Sequence, residues 1–322
     1  MIGAGIAGLT TAIRLLEAGV PVRVLAREMP LETVSAVAGA LILPVGCGPG
    51  QRVRRWYRES LAVWRALAAH SGTGVRQVPG RLFLAAGAEP EGFRDLLSLL
   101  DAEEIPSREH PRAGLRGLRL RLPVVDMALC LPFLVRRLLQ LGGRLEQGAV
   151  HRLEEAFASH GGVVLCAGLG AAALTGDRGL LPVRGQILRY PLPAGGGEPE
   201  FYVDDSHPEG LLYALPRTGE WRVGGTWEEG EAEARTRPED LLAIEARARS
   251  ALPFLAGLRP LGAEAGIRPW RAEVRLEAEP RRGGLLVHNH GHGGAGVSLA
   301  WGCAREAAER VLAALPSAPG IR

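Results

Sequence analysis

At 322 residues and 34.2 kDa, with 47% hydrophobic and 23% charged residues, the chain is long enough to bury one large core or two linked ones. A formal charge of +3 and no basic stripe interleaved with aromatics argue against nucleic acid as a partner. No run approaches the roughly 20 consecutive apolar residues of a membrane span, and the opening glycine pattern leaves no room for a secretory leader. The cytoplasm is therefore the expected home.

Cys47, Cys130, Cys166 and Cys303 lie far apart with no CxxC pair, so they read as reduced, mostly buried thiols. A disulfide stays open for a thermophilic source. Every basic residue other than histidine is arginine, and Asn289 is the only asparagine. Codon usage in a GC-rich genome and selection against thermolabile amides both produce this pattern.

In chain order, Ile2 is the stub of a strand, GAGIAG at residues 3–8 a turn, and Leu9, Ala12, Ile13, Leu15 and Leu16 the apolar face of a helix ended by Gly19. The valine-rich stretch 20–25 is the expected second parallel strand. Only Met1 and Ile2 precede the first glycine, so either the first strand is truncated or the start codon lies upstream. A loop, GCGPG at 46–50, leads into an amphipathic helix over 51–70 carrying Trp56, Tyr57, Leu61 and Trp64. Residues 76–123 alternate short strands, such as 81–84, with loops and a helix near 93–100. Helical periodicity returns at 131–141, followed by strands at 144–145 and 162–166, the latter running into a glycine turn. A strand-rich region over 185–267 includes 211–215, 221–223 and a helix at 238–251, with Gly195-Gly196-Gly197 as a hairpin loop. Residues 285–288 read as a strand, 289–296 as a glycine turn and 298–315 as a helix stopped by Pro316.

This order predicts an α/β chain in which a nucleotide-binding domain, assembled from 1–75, 124–185 and 272–322, is interrupted twice by a second domain from 76–123 and 186–271.

Gly3, Gly5 and Gly8 form a GxGxxG, which turns tightly, brings backbone N–H groups against a pyrophosphate and lets helix approach strand. The pattern also occurs in purely structural turns, and its strand-turn-helix-strand setting favours the nucleotide reading. Arg27-Glu28 ends the second strand, where a carboxylate accepts hydrogen bonds from a ribose. Glu28 is the better candidate of the two, and a solvated surface pair is the alternative.

The C-terminal HNHGHGGAGVSLAWGCA places glycines at 291, 293, 294 and 296, allowing close approach of a planar ligand, and the following helix aims its positive end at that ligand. Together with GAGIAGLTTA at the start, SAVAGA at 35–40, LCAGLGA at 165–171, PVRGQI at 182–187, YALPRTGEWRVGGT at 213–226 and GIRPWRAEVRLE at 266–277, it resembles the D-amino-acid oxidase family over most of the chain.

That resemblance implies a Rossmann-like FAD-binding domain plus a second α+β substrate domain with a large mixed or antiparallel sheet. It implies FAD contacts from Gly3, Ala4, Gly5, Ile6, Ala7, Gly8, Arg27, Glu28, Ser35, Gly39, Ala40, Leu41, Val150, Ala167, Gly168, Gly293, Gly294, Gly296, Val297 and Ser298. It matches Arg271 to the arginine that pairs with the substrate carboxylate and also lies beside the cofactor, and leaves Arg268 as structural. Tyr213 matches the tyrosine that reaches the same carboxylate, and Gly294 the glycine whose carbonyl accepts from the substrate amine.

The implied chemistry is hydride transfer from Cα of a D-amino acid to flavin, with no side-chain base, followed by hydrolysis to a 2-oxo acid and ammonia. Dioxygen is the second substrate and hydrogen peroxide its product. Neutral, apolar D-amino acids are the expected substrates, because no second cation is identifiable unless Arg217 supplies one for a D-aspartate or D-glutamate oxidase. A glycine or sarcosine oxidase, a dehydrogenase, and an FAD-bound protein without turnover are the other readings. Monomer and homodimer are both open.

The chain departs from the family in having His290 for a tyrosine, Ala295 for an aromatic, and a short segment before Tyr213 that lacks a second tyrosine, so an active-site lid is expected to be reduced or absent. His288, His290 and His292 alternate as a metal site on one strand face would, but the family block accounts for them without metal.

Overall fold

A computed structural model describes residues 1–43, 50–87, 97–193, 195 and 197–315. Cys47, nearly all of the 46–50 loop, the first half of the helix expected near 93–100, Gly196 and the C-terminal stop at Pro316 lie outside the described residues.

The labelled elements are helix α1 (Ile6–Glu17), strand β1 (Arg23–Ala26), α2 (Gln51–Ala68), β2 (Val75–Ala85), β3 (Leu115–Val125), α3 (Met127–Gln140), β4 (Arg144–Gln147), β5 (Gly162–Leu165), β6 (Leu181–Pro191), β7 (Phe201–Asp204), β8 (Leu212–Pro216), β9 (Glu220–Gly224), α4 (Pro238–Ala251), β10 (Gly262–Arg281), β11 (Gly284–His292) and α5 (Gly296–Ala314). Short helices also occur at Val34–Val37 and Gly170–Thr175.

The nucleotide-binding half is a parallel array. β4 pairs with β1, Ile2 bridges Leu25 on one side and Leu165 on the other, and β5 pairs with β11. Ile2 alone bridges the two neighbouring strands at the centre. From β11 the sheet continues through β10, β6, β9, β8, β7, β2 and β3, antiparallel except where β2 meets β7.

The expected boundaries at 185 and 271 therefore fall inside strands. The first half of β10 pairs with β6, and its second half pairs with β11, with an irregularity between Trp270 and Arg275. One strand thus carries the chain from its pairing with β6 to its pairing with β11, which fixes the two sets of strands in register.

Helices α1 and α5 cover the parallel strands. Leu9, Ala12 and Ile13 of α1 and Leu299, Ala300, Cys303 and Ala307 of α5 are buried in the largest core, as the helical spacing of apolar residues requires. Asn289 Nδ2 donates to Thr11 Oγ1 at 3.0 Å, tying β11 to α1. α2 crosses α5 at Gly302, where a Cβ would fall 2.2 Å from the Trp56 carbonyl oxygen, so only glycine permits the contact. The nearly buried Glu306 beside it accepts from Trp56, Arg52, Arg55 and Arg310. On the other side, α4 packs Ile244 and Ala248 against Leu188, Tyr190, Leu212, Ala214, Trp221 and Val223.

Two element expectations change. β11 runs through Asn289 to His292, and the glycine turn is confined to a single 3-10 turn at Gly293–Ala295. The strand assigned to 20–25 begins at Arg23. Cys130, Cys166 and Cys303 are buried and outside any disulfide.

Candidate active site

The opening turn is built by close approach. Gly3 has φ +102°, and a Cβ on it would lie 2.4 Å from the Cys166 carbonyl oxygen; one on Gly8 would lie 2.0 Å from the Gly3 carbonyl oxygen. Helix α1 therefore starts against the strand, with Ala4 and Ile6 buried and Gly3, Gly5 and Ala7 half-buried. No side chain of the preceding turn caps it. Instead Ser35 reaches across, and its Oγ accepts from the Ile6 N–H at 3.0 Å. Beyond Ile6, whose N–H Ser35 takes, a helix N-terminus walled by glycine suits a pyrophosphate.

Segment 35–41 carries the site onward. Ala40 is left-handed at φ +59°, a conformation an alanine holds only under constraint, and its carbonyl accepts from the Val125 N–H at 2.9 Å. A Cβ on Gly39 would lie 3.0 Å from Leu215 Cδ1 and 3.6 Å from Tyr213 Cε2, so this segment meets the face of β8 that bears Tyr213. Ser298 Oγ donates to the Leu43 carbonyl at 2.8 Å and the Leu41 carbonyl at 3.3 Å, joining the segment to the start of α5. Val297 is buried, and its carbonyl accepts from Trp64 Nε1 at 3.0 Å. Gly293 has φ +54°, Gly294 is exposed, and Gly296 opens α5.

Gly168, with φ +54°, lies under Pro269, 3.8 Å from where its Cβ would be. Ala167 and Val150 pack partly buried beside Ile2 and Leu165. Arg27 and Glu28 form an exposed ion pair at 2.7 Å, the solvated arrangement weighed against ribose binding. Ser35 joins the opening turn to segment 35–41, and Ser298 joins that segment to the start of α5, so parts of both ends of the chain meet. The glycine-walled cradle and the open N-terminus of α1 fit FAD.

Tyr213, expected to reach the substrate carboxylate, lies on β8. Its hydroxyl rests on bare backbone, for a Cβ on Gly224 would lie 2.6 Å from it and one on Gly225 3.1 Å. Burial raises its pKa, opposed by the positive charges of Arg268, Arg222 and Arg247. Arg222 is answered by Glu220 and Glu264. Arg268 is not answered by a carboxylate among the described residues. It donates to the Thr226 carbonyl at 3.1 Å and lies against Trp227, 5.2 Å from the ring centroid. A Cβ on Gly185 would fall 2.2 to 2.4 Å from the Arg268 guanidinium, so glycine in the PVRGQI block makes room for that head group.

Arg271 lies elsewhere. Its guanidinium pairs with Asp177 at 3.4 Å, donates to the Glu273 carbonyl at 2.9 Å, and its stem packs against Gly291. Arg275 shares Asp177 at 3.2 Å. The structure thus brings Tyr213 together with Arg268, and turns Arg271 to an ion pair.

Sequence reading had the signal for this. Residues three apart on a strand face opposite sides, so Arg268 and Arg271 cannot both face Tyr213. Gly185, Gly224, Gly225 and Arg247 also went unmarked as parts of the pocket.

The histidine row is enclosed. His288 Nδ1 lies 3.3 Å from His290 Nε2, and His288 Nε2 3.0 Å from Glu279. Burial pushes His290 down to about 3 and His292 down to about 4, so both are neutral at ordinary pH. Among the described residues no group of three His, Cys, Asp or Glu side chains gathers as a metal site. Ala295, where the family has an aromatic, is fully buried.

A family profile described as FAD dependent oxidoreductase matches residues 1–310. The chain is 43% identical over 317 residues to a D-amino-acid oxidase of Rubrobacter xylanophilus, covering 98% of this chain and 96% of that one. It is 41% identical over 313 residues to a D-amino-acid oxidase of Streptomyces coelicolor, covering 96% and 94%. With human D-aspartate oxidase the identity is 31% over 325 residues, covering 97% and 93%. Glycine oxidase from Geobacillus kaustophilus superposes with a TM-score of 0.78 at 20% identity, covering 98% of this chain and 94% of that one, which shows a shared fold. No helix among the described residues is long and apolar enough to cross a membrane. The converging glycine turns, the cradle they form and the match along nearly the whole chain have one reading: this protein belongs to the FAD-dependent oxidoreductase family and is an FAD-dependent enzyme.

Proposed function

We propose that the chain is a D-amino-acid oxidase acting on neutral, apolar D-amino acids. The observation that carries this is the pair Arg268 and Tyr213: a guanidinium not cancelled by a carboxylate among the described residues, beside a phenol that rests on Gly224 and Gly225, next to segment 35–41. A guanidinium fork and a phenol hydroxyl form the donor set for an amino-acid carboxylate. We assign the carboxylate to Arg268 and Tyr213 and not to Arg271, whose charge Asp177 already answers.

The exposed Gly294 offers its carbonyl to the substrate amine. With carboxylate and amine both held, only one enantiomer presents its Cα hydrogen to the flavin side, and orientation supplies most of the rate. FAD, when bound, accepts the hydride and passes the electrons to dioxygen, giving hydrogen peroxide. The substrate leaves as an imino acid, which water converts to a 2-oxo acid and ammonia. His290 and His292 are held neutral, and no acid-base role at Cα is assigned to them.

Side-chain preference follows from where the remaining cations point. Arg217, the candidate for a second carboxylate, is 2% exposed and turned to Asp126 at the start of α3, 3.2 Å away. Arg222 is neutralised in the Glu220 and Glu264 cluster. Trp227 adds an apolar wall beside Arg268.

A peroxide-coupled assay across D-alanine, D-valine, D-aspartate, glycine, sarcosine and the L-isomers tests the proposal. D-Valine and D-alanine should be oxidised and L-isomers not. Activity on D-aspartate far above D-valine would select the acidic-substrate reading that the human relative represents. The working form we infer is a cytoplasmic monomer or homodimer, which cell fractionation and light scattering test.

A further inference from the structure

We propose that Arg247 is a positioning residue for the substrate carboxylate: from helix α4 it fixes the Gly224–Gly225–Thr226 turn that holds Tyr213 and Arg268 in place. The proposal rests on the carboxylate site assigned above to Tyr213 and Arg268.

Arg247 is 5% exposed, on a helix that otherwise meets the sheet through Ile244 and Ala248. Its guanidinium donates to the Gly225 carbonyl at 2.5 Å and to the Glu209 carbonyl at 3.2 Å. Those carbonyls flank the tyrosine strand: Glu209 lies just before β8, and Gly225 just after β9. The two segments are also joined directly, by the Gly225 N–H to the Leu211 carbonyl at 3.0 Å. Arg247 thus clasps the short segment where the family lid is reduced onto the turn beneath the phenol.

The clasp reaches both carboxylate groups through backbone. Gly224 stands opposite Tyr213 in the ladder, and with no side chain between them the phenol follows any shift of that backbone. A peptide unit is rigid, so anchoring the Gly225 carbonyl sets the plane of the bond into Thr226. The Thr226 carbonyl in turn accepts from Arg268. Glu209 and Asp240 attract Arg247 without ion-pair contact, so its buried charge is held mainly by carbonyl dipoles. An uncancelled cation in such a place is costly to bury, and here it adds a positive field beside the phenol.

The test uses holoenzyme with Arg247→Met and Arg247→Lys. Benzoate, a carboxylate that cannot turn over, is titrated by its perturbation of flavin absorbance, alongside kcat and KM for D-valine, flavin content and melting temperature. The expected result for Arg247→Met is a rise of about tenfold in the benzoate Kd and in KM, with kcat largely kept. Arg247→Lys, which keeps the charge and spans one carbonyl instead of two, should recover part of that loss. Loss of flavin content or melting temperature with benzoate affinity unchanged would overturn the proposal and leave a structural role. If Arg247→Met gives no holoenzyme, Arg247→Lys decides, and unaltered benzoate binding by it overturns the proposal. If neither variant holds flavin, Arg247 is a determinant of the fold and the proposal falls. Arg268→Met, run in parallel, separates the two claims: normal benzoate binding there would overturn the carboxylate site itself, whatever Arg247 does.

Discussion

Replacing Arg268 by methionine removes a charge while keeping most of the side chain's length, and it should cost far more activity than the same change at Arg271. Arg268 spends one of its five N–H donors on the Thr226 carbonyl at 3.1 Å and rests against Trp227. Among the described residues the remaining donors have no carboxylate partner, which leaves them for a substrate carboxylate beside Tyr213. Removing one partner of such a pair, out of water, costs roughly 2–5 kcal/mol. That corresponds to a fall of about 30- to 4,000-fold in kcat/KM for D-valine. Arg271, by contrast, is 30% exposed along its side chain and pairs with Asp177 at 3.4 Å. Losing a partly solvated pair of that kind costs at most about 1 kcal/mol, felt as stability. The assay is peroxide-coupled kcat/KM with D-valine, joined to anaerobic stopped-flow bleaching of the bound flavin, on protein of measured flavin content. A larger loss from Arg271→Met than from Arg268→Met would refute the assignment and restore the arginine expected from the sequence block.

Gly8→Ala should abolish flavin binding while D-valine oxidation disappears with it, because the new Cβ would sit 2.0 Å from the Gly3 carbonyl oxygen, and backbone cannot yield as a flexible side chain does. Flavin released on gel filtration checks this. Arg217→Met should lower the melting temperature and leave the ratio of D-aspartate to D-valine turnover unchanged, since Arg217 faces Asp126. A collapse of that ratio would place Arg217 in the substrate pocket. Acid should destabilise the fold through His290 and His292. Their folded pKa values, about 3 and about 4, lie below the ordinary value of 6.5, so the unfolded chain binds more protons between those limits. Stability is full above pH 6.5 and falls as pH drops toward 4, by up to about 1.4 kcal/mol per unit for each histidine. Denaturant titrations at stepped pH measure the slope, and His290→Phe should flatten it.

How much of this was legible differs between the two kinds of element. The helices were close to fully readable: α4 spans Pro238–Ala251, the range expected from its proline start and periodicity, and α2, α3 and α5 differ from expectation mainly at their ends. Local spacing of apolar residues decides those elements. Long-range pairing decides the rest. Nothing within 262–281 announces that one strand of twenty residues passes from one half of the sheet to the other, since the information sits in its partners, β6 and β11. The same holds for β11, where NHGH at 289–292 reads as part of a glycine-rich turn but is extended because β10 pairs along it.

The candidate site divides along the same line. Glycines whose reason is local, such as Gly3 and Gly8 in one turn, were visible in a pattern. Gly185, Gly224 and Gly225 were not, because what each makes room for, Arg268 or Tyr213, lies on a different strand. The arginine pair in RPWR shows how a block can be matched and its residue still misassigned. Composition and order fit both Arg268 and Arg271, and only strand parity separates them, since an odd offset sends them to opposite faces. Arg271 and Arg275, an even four apart, share the one carboxylate of Asp177. That sharing leaves Arg268 as the arginine of the block without a carboxylate partner among the described residues, and an uncancelled guanidinium beside a half-buried phenol suits the substrate carboxylate proposed for it.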